Sequence, residues 1–303
     1  MMRSDEIAII GAGPAGIATA IQLRRYGLQV MVFEKNRIGG LLRSANLVEN
    51  YLGFPQGISG PNLVHLFEKQ LRNSAADILF EEVVSLCFEN ERFVVTTKEH
   101  TLYPGIVVIA SGTRPIELSD LELPPQFREA ICYDISSILR EKGKRIVIVG
   151  AGDAAFDYAL NLGTSNEVII VNRGDSVNCI PLLWQRACDT AAISYFDNTR
   201  VLRITGLHAN QICIECMQQG ELMTLQAHHL VSAIGREPQL CFLPEDGRAS
   251  LDRLAQKGLI HFVGDVKNGN FRQTAIAVGD GIMAAMKIGA KLNKPECERT
   301  TKQ

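Results

Sequence analysis

Two stretches of the chain repeat one alternation of apolar and polar positions. IAIIGAGPAGIATAIQLRRYGLQVMVFEK, from Ile7 to Lys35, opens on a four-residue apolar run, turns on glycines, continues with small and apolar residues at helical spacing, and closes on a second β-branched run. IVIVGAGDAAFDYALNLGTSNEVIIVNR, from Ile146 to Arg173, repeats the order. Short, wholly apolar runs around a segment of helical periodicity are the pattern of βαβ units in a parallel sheet buried on both faces. Two such units predict two nucleotide-binding folds in one chain.

Between them, ADILFEEVVSLCFENERFVVTTKEHTLYPGIVVIASG alternates short apolar runs with charged turns, which predicts a small antiparallel meander returning to a buried strand at GIVVIASG. After the second unit, RVLRITGLHANQICIECMQQGELMTLQAHHLVSAIGREPQ predicts another set of short strands. LIHFVGDVKNGNFRQTAIAVGDGIMAAMKIGAKL then reads as a strand, a loop and a helix. Boundaries are expected at the proline-containing turns GTRPIEL and GREPQL. The expected class is therefore α/β, with two Rossmann-like domains that each carry a small antiparallel meander. Residues 1–115 and 241–303 would form a discontinuous first domain, and residues 116–240 the inserted second.

A chain of 303 residues, 46% hydrophobic and 21% charged, can bury a core of about two domains and reads as soluble and globular. Its formal charge of -2, without a long like-charge block, leaves no footprint for nucleic acid or an anionic membrane surface. Ile7 to Leu23 is uncharged, but three glycines and Pro14 interrupt it and Asp5 and Glu6 precede it, which argues against a membrane span or a signal core. Eight cysteines without a dense framework or a targeting segment suggest reduced thiols and a cytoplasmic location.

The chemistry starts at the glycines. Gly11, Gly13 and Gly16 form GxGxxG directly after a predicted strand, where they permit a tight turn, approach of backbone to a pyrophosphate, and close helix packing. Glu34 closes the next strand, where a carboxylate accepts hydrogen bonds from ribose hydroxyls. The second unit has Gly150, Gly152 and Ala155, but alignment of Val30 with Val168 puts Asn172 in the place of Glu34. Arg173 follows and would pair with a 2′-phosphate, or else is a solvated strand-end arginine. Two dinucleotide sites in one chain suggest a flavin and a nicotinamide exchanging a hydride.

The order of GAGPAG, FEKNRIGG, VENYLGFPQGISGPNL, VVIASG, IVIVGAGDAA, VSAIG, VGD and RQTAIAVGDGIMAA resembles the low-molecular-weight thioredoxin reductases and their relatives over nearly the whole chain. The resemblance implies a homodimer with an FAD domain and an inserted NAD(P)H domain, joined by two strands and rotating to alternate the flavin's partners. It implies that Gly11, Ala12, Gly13, Pro14, Ala15, Gly16, Glu34 and Lys35 hold the FAD pyrophosphate and adenosine ribose. Gly40, Leu41 and Asn50 would approach the flavin end, Asp265 the ribityl or phosphate side, and Gln273 with Thr274 the isoalloxazine edge. Gly150, Gly152, Asp153, Ala154 and Ala155, with Arg173, would take NADPH or NADH.

The chain departs from the family at two places. Thioredoxin reductases carry a redox CxxC shortly before the second glycine motif, whereas EAICYDISSILREKGKRIVIVGAG has Cys132 alone. One thiol cannot form the intramolecular disulfide that takes flavin electrons. The spacing from Tyr133 to Gly150 instead resembles the thioredoxin-reductase-type ferredoxin reductases, which reduce an external carrier but usually have a longer C-terminal extension. Of the HRRxxxR cluster of NADPH-specific members only Arg173 remains, beside Asn172, Gly174 and Asn178. Leu41 also stands where the family often has glutamine.

Cys213 and Cys216 have redox-pair spacing but lie in ICIEC, which reads as a strand, so their side chains should face opposite sides as small packed hydrophobes. Cys132 is read as a buried inert thiol, with a mixed disulfide or a flavin–thiol interaction as the alternative. Tyr51 would stack on the flavin or pack in the core. His228 and His229 are expected at the surface, without metal ligands around them. The favoured activity is an FAD-dependent NAD(P)H oxidoreductase passing electrons directly to a ferredoxin, a flavodoxin, a thioredoxin-like protein or a small molecule. Disulfide reduction and a flavin-binding sensor with a degenerate nicotinamide site are the alternatives.

Overall fold

The computed structural model describes residues 7–118, 121, 125–206, 211–244 and 248–292. Asp5, Glu6 and the chain beyond Leu292 lie outside the described residues.

The first repeat folds as β1 (Ile7–Ile10), α1 (Pro14–Arg25) and β2 (Val30–Phe33), and α2 (Gly60–Asn73) leads to β3 (Asp77–Leu79). A meander of β4 (Ser85–Glu89), β5 (Arg92–Thr96) and β6 (Thr101–Leu102) follows, before β7 (Ile106–Ile109) re-enters beside β1. β8 (Thr113–Pro115) carries the chain to β9 (Ile131–Cys132) and the second repeat, β10 (Arg145–Val149), α3 (Asp153–Leu162) and β11 (Glu167–Val171). α4 (Pro181–Cys188) and β12 (Ile193–Phe196) extend that unit. A second meander, β13 (Thr199–Gly206), β14 (Ile212–Gln218) and β15 (Glu221–Ala227), precedes β16 (His229–Ser232). β17 (Arg236–Pro238) runs back antiparallel to β8, and α5 (Arg248–Gln256), β18 (Ile260–Phe262) and α6 (Thr274–Leu292) complete the described chain.

Two parallel five-stranded sheets result, in the orders β18-β7-β1-β2-β3 and β12-β11-β10-β16-β9. The expected α/β class with two Rossmann-like units and a three-stranded antiparallel meander beside each is what forms. In the first sheet the central strands, Ile7–Ile10 and Ile106–Ile109, are buried at every position, because helices cover one face and the meander the other. The antiparallel pair β8–β17 follows β7 and β16 and so lies between the two sheets.

α6 belongs to the first sheet because it packs backbone to backbone on α1. A β-carbon at Gly281 would fall on the Ala15 carbonyl oxygen, and the fully buried Thr19 donates from Oγ1 to the carbonyls of Ala15 (2.8 Å) and Gly281 (3.2 Å). Among the described residues no helix is long and apolar enough to cross a membrane.

The second core is organised by Phe156 of α3, which is fully buried with its ring centroid 5.6 Å from Trp184 and 6.0 Å from Tyr195. Phe156→Ala should lower unfolding stability by about 3–5 kcal/mol, read as a shift in the urea midpoint. A loss below about 1 kcal/mol would mean that this aromatic group does not organise the core.

Candidate functional site

Both glycine turns sit at the C-terminal edge of their sheet. Gly11 has φ +107° and Gly150 φ +136°, a region L side chains avoid, and a β-carbon there would fall on the carbonyl oxygen of Ala110 or of Ala233. At Gly16 a β-carbon would strike the Gly11 carbonyl, so α1 lies tightly on its own turn. The second unit accommodates Ala155, fully buried, at the same point.

Gly13 and Gly152 are the N-caps of α1 and α3, and neither helix has a side-chain cap. A β-carbon at either would meet nothing within 4 Å. Each helix therefore presents uncapped first-turn amides and its positive dipole end to open space, which fits a pyrophosphate at both turns. Pro14 at the start of α1 has no N–H to leave unpaired. Ala154 is exposed on α3, whereas Asp153 turns aside, its Oδ1 accepting the Ile180 N–H at 2.8 Å.

The strand register makes Glu34 and Asn172 equivalents, since Ile7 pairs with Val30 and Ile146 with Val168. Glu34 is buried, and its two oxygens accept the Ala12 and Asn36 N–H groups, each at 2.9 Å. Each oxygen keeps a lone pair for a ribose hydroxyl. Asn172 is consumed internally: Nδ2 donates to the Ser176 carbonyl and the Tyr195 hydroxyl, both at 2.9 Å, and Oδ1 accepts the Gly174 N–H at 3.2 Å. It builds the turn that presents Arg173, which is exposed and makes no side-chain hydrogen bond or ion pair among the described residues. Lys35 is exposed and lies 3.5 Å from Glu82.

The residues expected around the flavin end gather beside the first turn. Gly39 donates its N–H to the Ala12 carbonyl at 2.7 Å, and a β-carbon on Gly40 would lie 3.5 Å from the Gly13 Cα, so the 3₁₀ turn Gly40–Ser44 with Leu41 abuts the glycine loop. Asn50 Nδ2 donates to Gln273 Oε1 at 2.9 Å, joining residues 223 positions apart just before Thr274 opens α6. Asp265 follows Gly264, which packs against Ala15. Burial pushes the Asp265 carboxyl up, with Arg272 and Arg236 drawing it down.

The α3 helix of the second unit touches this same segment. The Asn46 N–H donates to Asp157 Oδ2 at 3.0 Å, and Asn161 Nδ2 donates to the Ser44 carbonyl at 3.4 Å.

Cys179 lies between Asn178 and Ile180, which bond to the second glycine turn, whereas Cys132, Cys213 and Cys216 take no part in these contacts. Cys132 lies on β9, at the edge of the second sheet, buried and 3.8 Å from the Ser137 hydroxyl, and burial pushes its thiol up. Cys213 and Cys216 face opposite sides of β14, as the strand period requires, and burial drives the Cys216 thiol up to about 11. Every cysteine among the described residues is a free thiol. Tyr51 packs edge-on against Phe67, with centroids 5.5 Å apart. His229 corrects an expectation: it is not at the surface but 15% exposed, bonded to Glu141 Oε2 at 2.9 Å, because it begins the interior strand β16. Among the described residues one group, Glu81, Glu99 and His100, brings three metal-ligand atoms together, but Glu81 is already engaged by Thr97 at 2.5 Å and His100 at 2.8 Å.

Sequence reasoning missed the supporting residues. Asp280 accepts the Gly264 N–H at 3.1 Å and the Asn268 side chain at 2.7 Å, and so holds the turn that carries Asp265. Arg272 donates to the Arg236 carbonyl at 3.0 Å, and Arg236 clasps Thr113 with two bonds of 2.9 Å across the connecting strands. The spacing from Asp265 to Asp280 is the one local signal for any of these, and it has meaning only once α6 is known to fold back on the turn.

The two parallel sheets, each with its glycine turn, define an architecture of two Rossmann-like units. The chain belongs to the pyridine nucleotide-disulphide oxidoreductase family, whose model matches residues 5–281. It is 29% identical to the thioredoxin reductase of Chlamydia pneumoniae over 311 aligned residues, covering 94% of this chain and 98% of that one. The crystal structure of T. acidophilum thioredoxin reductase matches with a TM-score of 0.83 at 28% identity, over 96% of this chain and 100% of that one. The bacillithiol disulfide reductase of Bacillus cereus shares the fold at a TM-score of 0.75 and 19% identity, over 95% and 100% of the two chains. The protein is a thioredoxin reductase-like flavoprotein, an FAD-dependent NAD(P)H oxidoreductase.

Burial raises the Asp157 carboxyl from 3.8 to about 6, against the lowering effect of the Asn46 amide and with Asp153 adding to the rise. The folded state thus disfavours the charged form, a penalty present in full above the folded value and relieved as pH falls toward the unfolded one. Asp157→Asn should therefore unfold with about 1–3 kcal/mol more stability than the parent near pH 8, the gain vanishing below about pH 4. Urea titrations across that range would contradict this if the difference did not change with pH.

Proposed function

We propose that the protein carries reducing equivalents from NADPH or NADH through bound FAD directly to an external acceptor, with no cysteine pair in the path. The observation that carries this reading is the seating of α3, the helix of the second glycine turn, on the segment that bears Leu41 and Asn50. The cysteines of the described residues, all free thiols, support it as well.

In this reading residues 1–115 with 241–303 form the FAD domain and residues 116–240 the nicotinamide domain. Gly11 to Gly16 orient the FAD pyrophosphate by backbone amides, Glu34 holds the adenosine ribose, and Lys35 flanks it. Gly40, Leu41 and Asn50 line the flavin end, Asp265 binds the ribityl or phosphate side, and Gln273 with Thr274 meets the ring edge. Gly150, Gly152, Asp153, Ala154 and Ala155 receive the nicotinamide dinucleotide, with Arg173 beside its 2′ position. When bound, FAD supplies the hydride acceptance and electron release that no side chain here can provide.

The acceptor is a small redox protein of the ferredoxin, flavodoxin or thioredoxin-like kind, or a small molecule, met in the cytoplasm. The protein acts as a homodimer through the outer face of α6, where Ile276, Ile282, Met283 and Met286 are 39–55% exposed in one apolar stripe.

The purified protein should be yellow and should bleach anaerobically with NADPH or NADH. Cys132→Ser and Cys216→Ser should each bleach within about twofold of the parent rate. A colourless protein that refuses FAD, or a cysteine variant that no longer turns over, would overturn the reading. Arg173→Ala should raise the KM for NADPH about tenfold and leave that for NADH unchanged. Equal effects on both nicotinamides would place the arginine away from the 2′ position.

A further inference from the structure

The flavin-end segment and the second unit meet at a third point. Arg186, in the last turn of α4, forms a bidentate pair with Glu49, Nη1 to Oε2 at 2.7 Å and Nη2 to Oε1 at 2.9 Å. With the Asp157–Asn46 and Asn161–Ser44 bonds, contacts fall at positions 44, 46 and 49 of a single stretch. On the other side all three come from α3 and α4, which are locked together by Phe156 against Trp184. We infer that Glu49 and Arg186 are positioning residues for hydride transfer: they close a three-point clamp that fixes α3 relative to the flavin-end segment.

The mechanical path is short. Glu49 adjoins Asn50, whose side chain is bonded to Gln273. Val48, on its other side, exchanges backbone hydrogen bonds with Ile58 at 2.8 and 3.0 Å, so the stretch is a stiff loop rather than a slack one. Two bonds alone would leave the units free to pivot about the line joining Ser44 and Asn46. A planar two-pronged pair at Glu49 removes that freedom, because a fork matched to a carboxylate holds orientation as well as distance. Hydride transfer needs reacting atoms held about 3–3.5 Å apart, so a small pivot is felt in rate rather than in binding. Both side chains are partly exposed, 40% and 37%, which keeps the pair individually weak and sensitive to salt.

The inference rests on the proposed flavin and nicotinamide sites, and a charge swap tests it apart from them. Glu49→Arg, Arg186→Glu and the double swap are prepared as FAD-loaded protein and followed by hydrogen exchange over residues 44–50 and by the anaerobic rate of bleaching at saturating nicotinamide. Each single variant should exchange faster in that stretch and bleach about two- to fivefold more slowly, with flavin content unchanged and the swap restoring both readings. Parent-like exchange in the single variants, or a swap whose deficit is the sum of the two, would overturn the clamp. If the parent itself is not bleached by either nicotinamide, the proposed function fails, and the exchange measurements still decide the clamp.

Discussion

At Gly11 and Gly150 the backbone turns so close to a neighbouring strand end that a β-carbon has no room. That close approach sets the rest of the site. It brings each strand directly into a helix whose first amides have no side-chain cap, where backbone donors and the positive end of the helix dipole would meet an anion together. It also leaves the neighbouring strand, β7 or β16, to end beside the turn, where the connecting strands β8 and β17 begin soon after. A side chain at either glycine would move the helix off its sheet and the site with it.

The electron path proposed here rests on where the described thiols lie and on how the two units meet. A dithiol relay needs two sulfurs about 2 Å apart when bonded and a thiolate to start the exchange. Here Cys132 is single and its thiol is pushed up by burial, while Cys213 and Cys216 point to opposite faces of a meander strand. The contacts of α3 with Ser44 and Asn46 instead seat the helix of the second glycine turn on the segment that follows the 3₁₀ turn beside the first. The relation to thioredoxin reductases therefore extends to architecture and cofactor use.

Much of the fold was legible because its signals are local. Four-residue apolar strands, glycines of fixed spacing and the small-residue face of α1 each act over a few residues, so both βαβ units and both meanders follow from the pattern alone. The register that makes Asn172 the counterpart of Glu34 was likewise readable by alignment of the two repeats. The inward use of Asn172, by contrast, needs Tyr195 from the adjacent strand, and the partial burial of His229 comes with Glu141, 88 positions away. The same holds for Asp280 beneath the Asp265 turn and for Arg186 on Glu49, which are tertiary pairings between ordinary surface-type residues that no window of sequence marks.

The central claim, that flavin alone stores the electrons, is tested most directly by stoichiometry. Anaerobic titration of the oxidised holoprotein with dithionite should reach full bleaching after one electron pair per flavin, with the count of free thiols the same before and after. Uptake of a second pair, accompanied by the appearance of two new thiols, would reveal a cystine in the path and contradict the account.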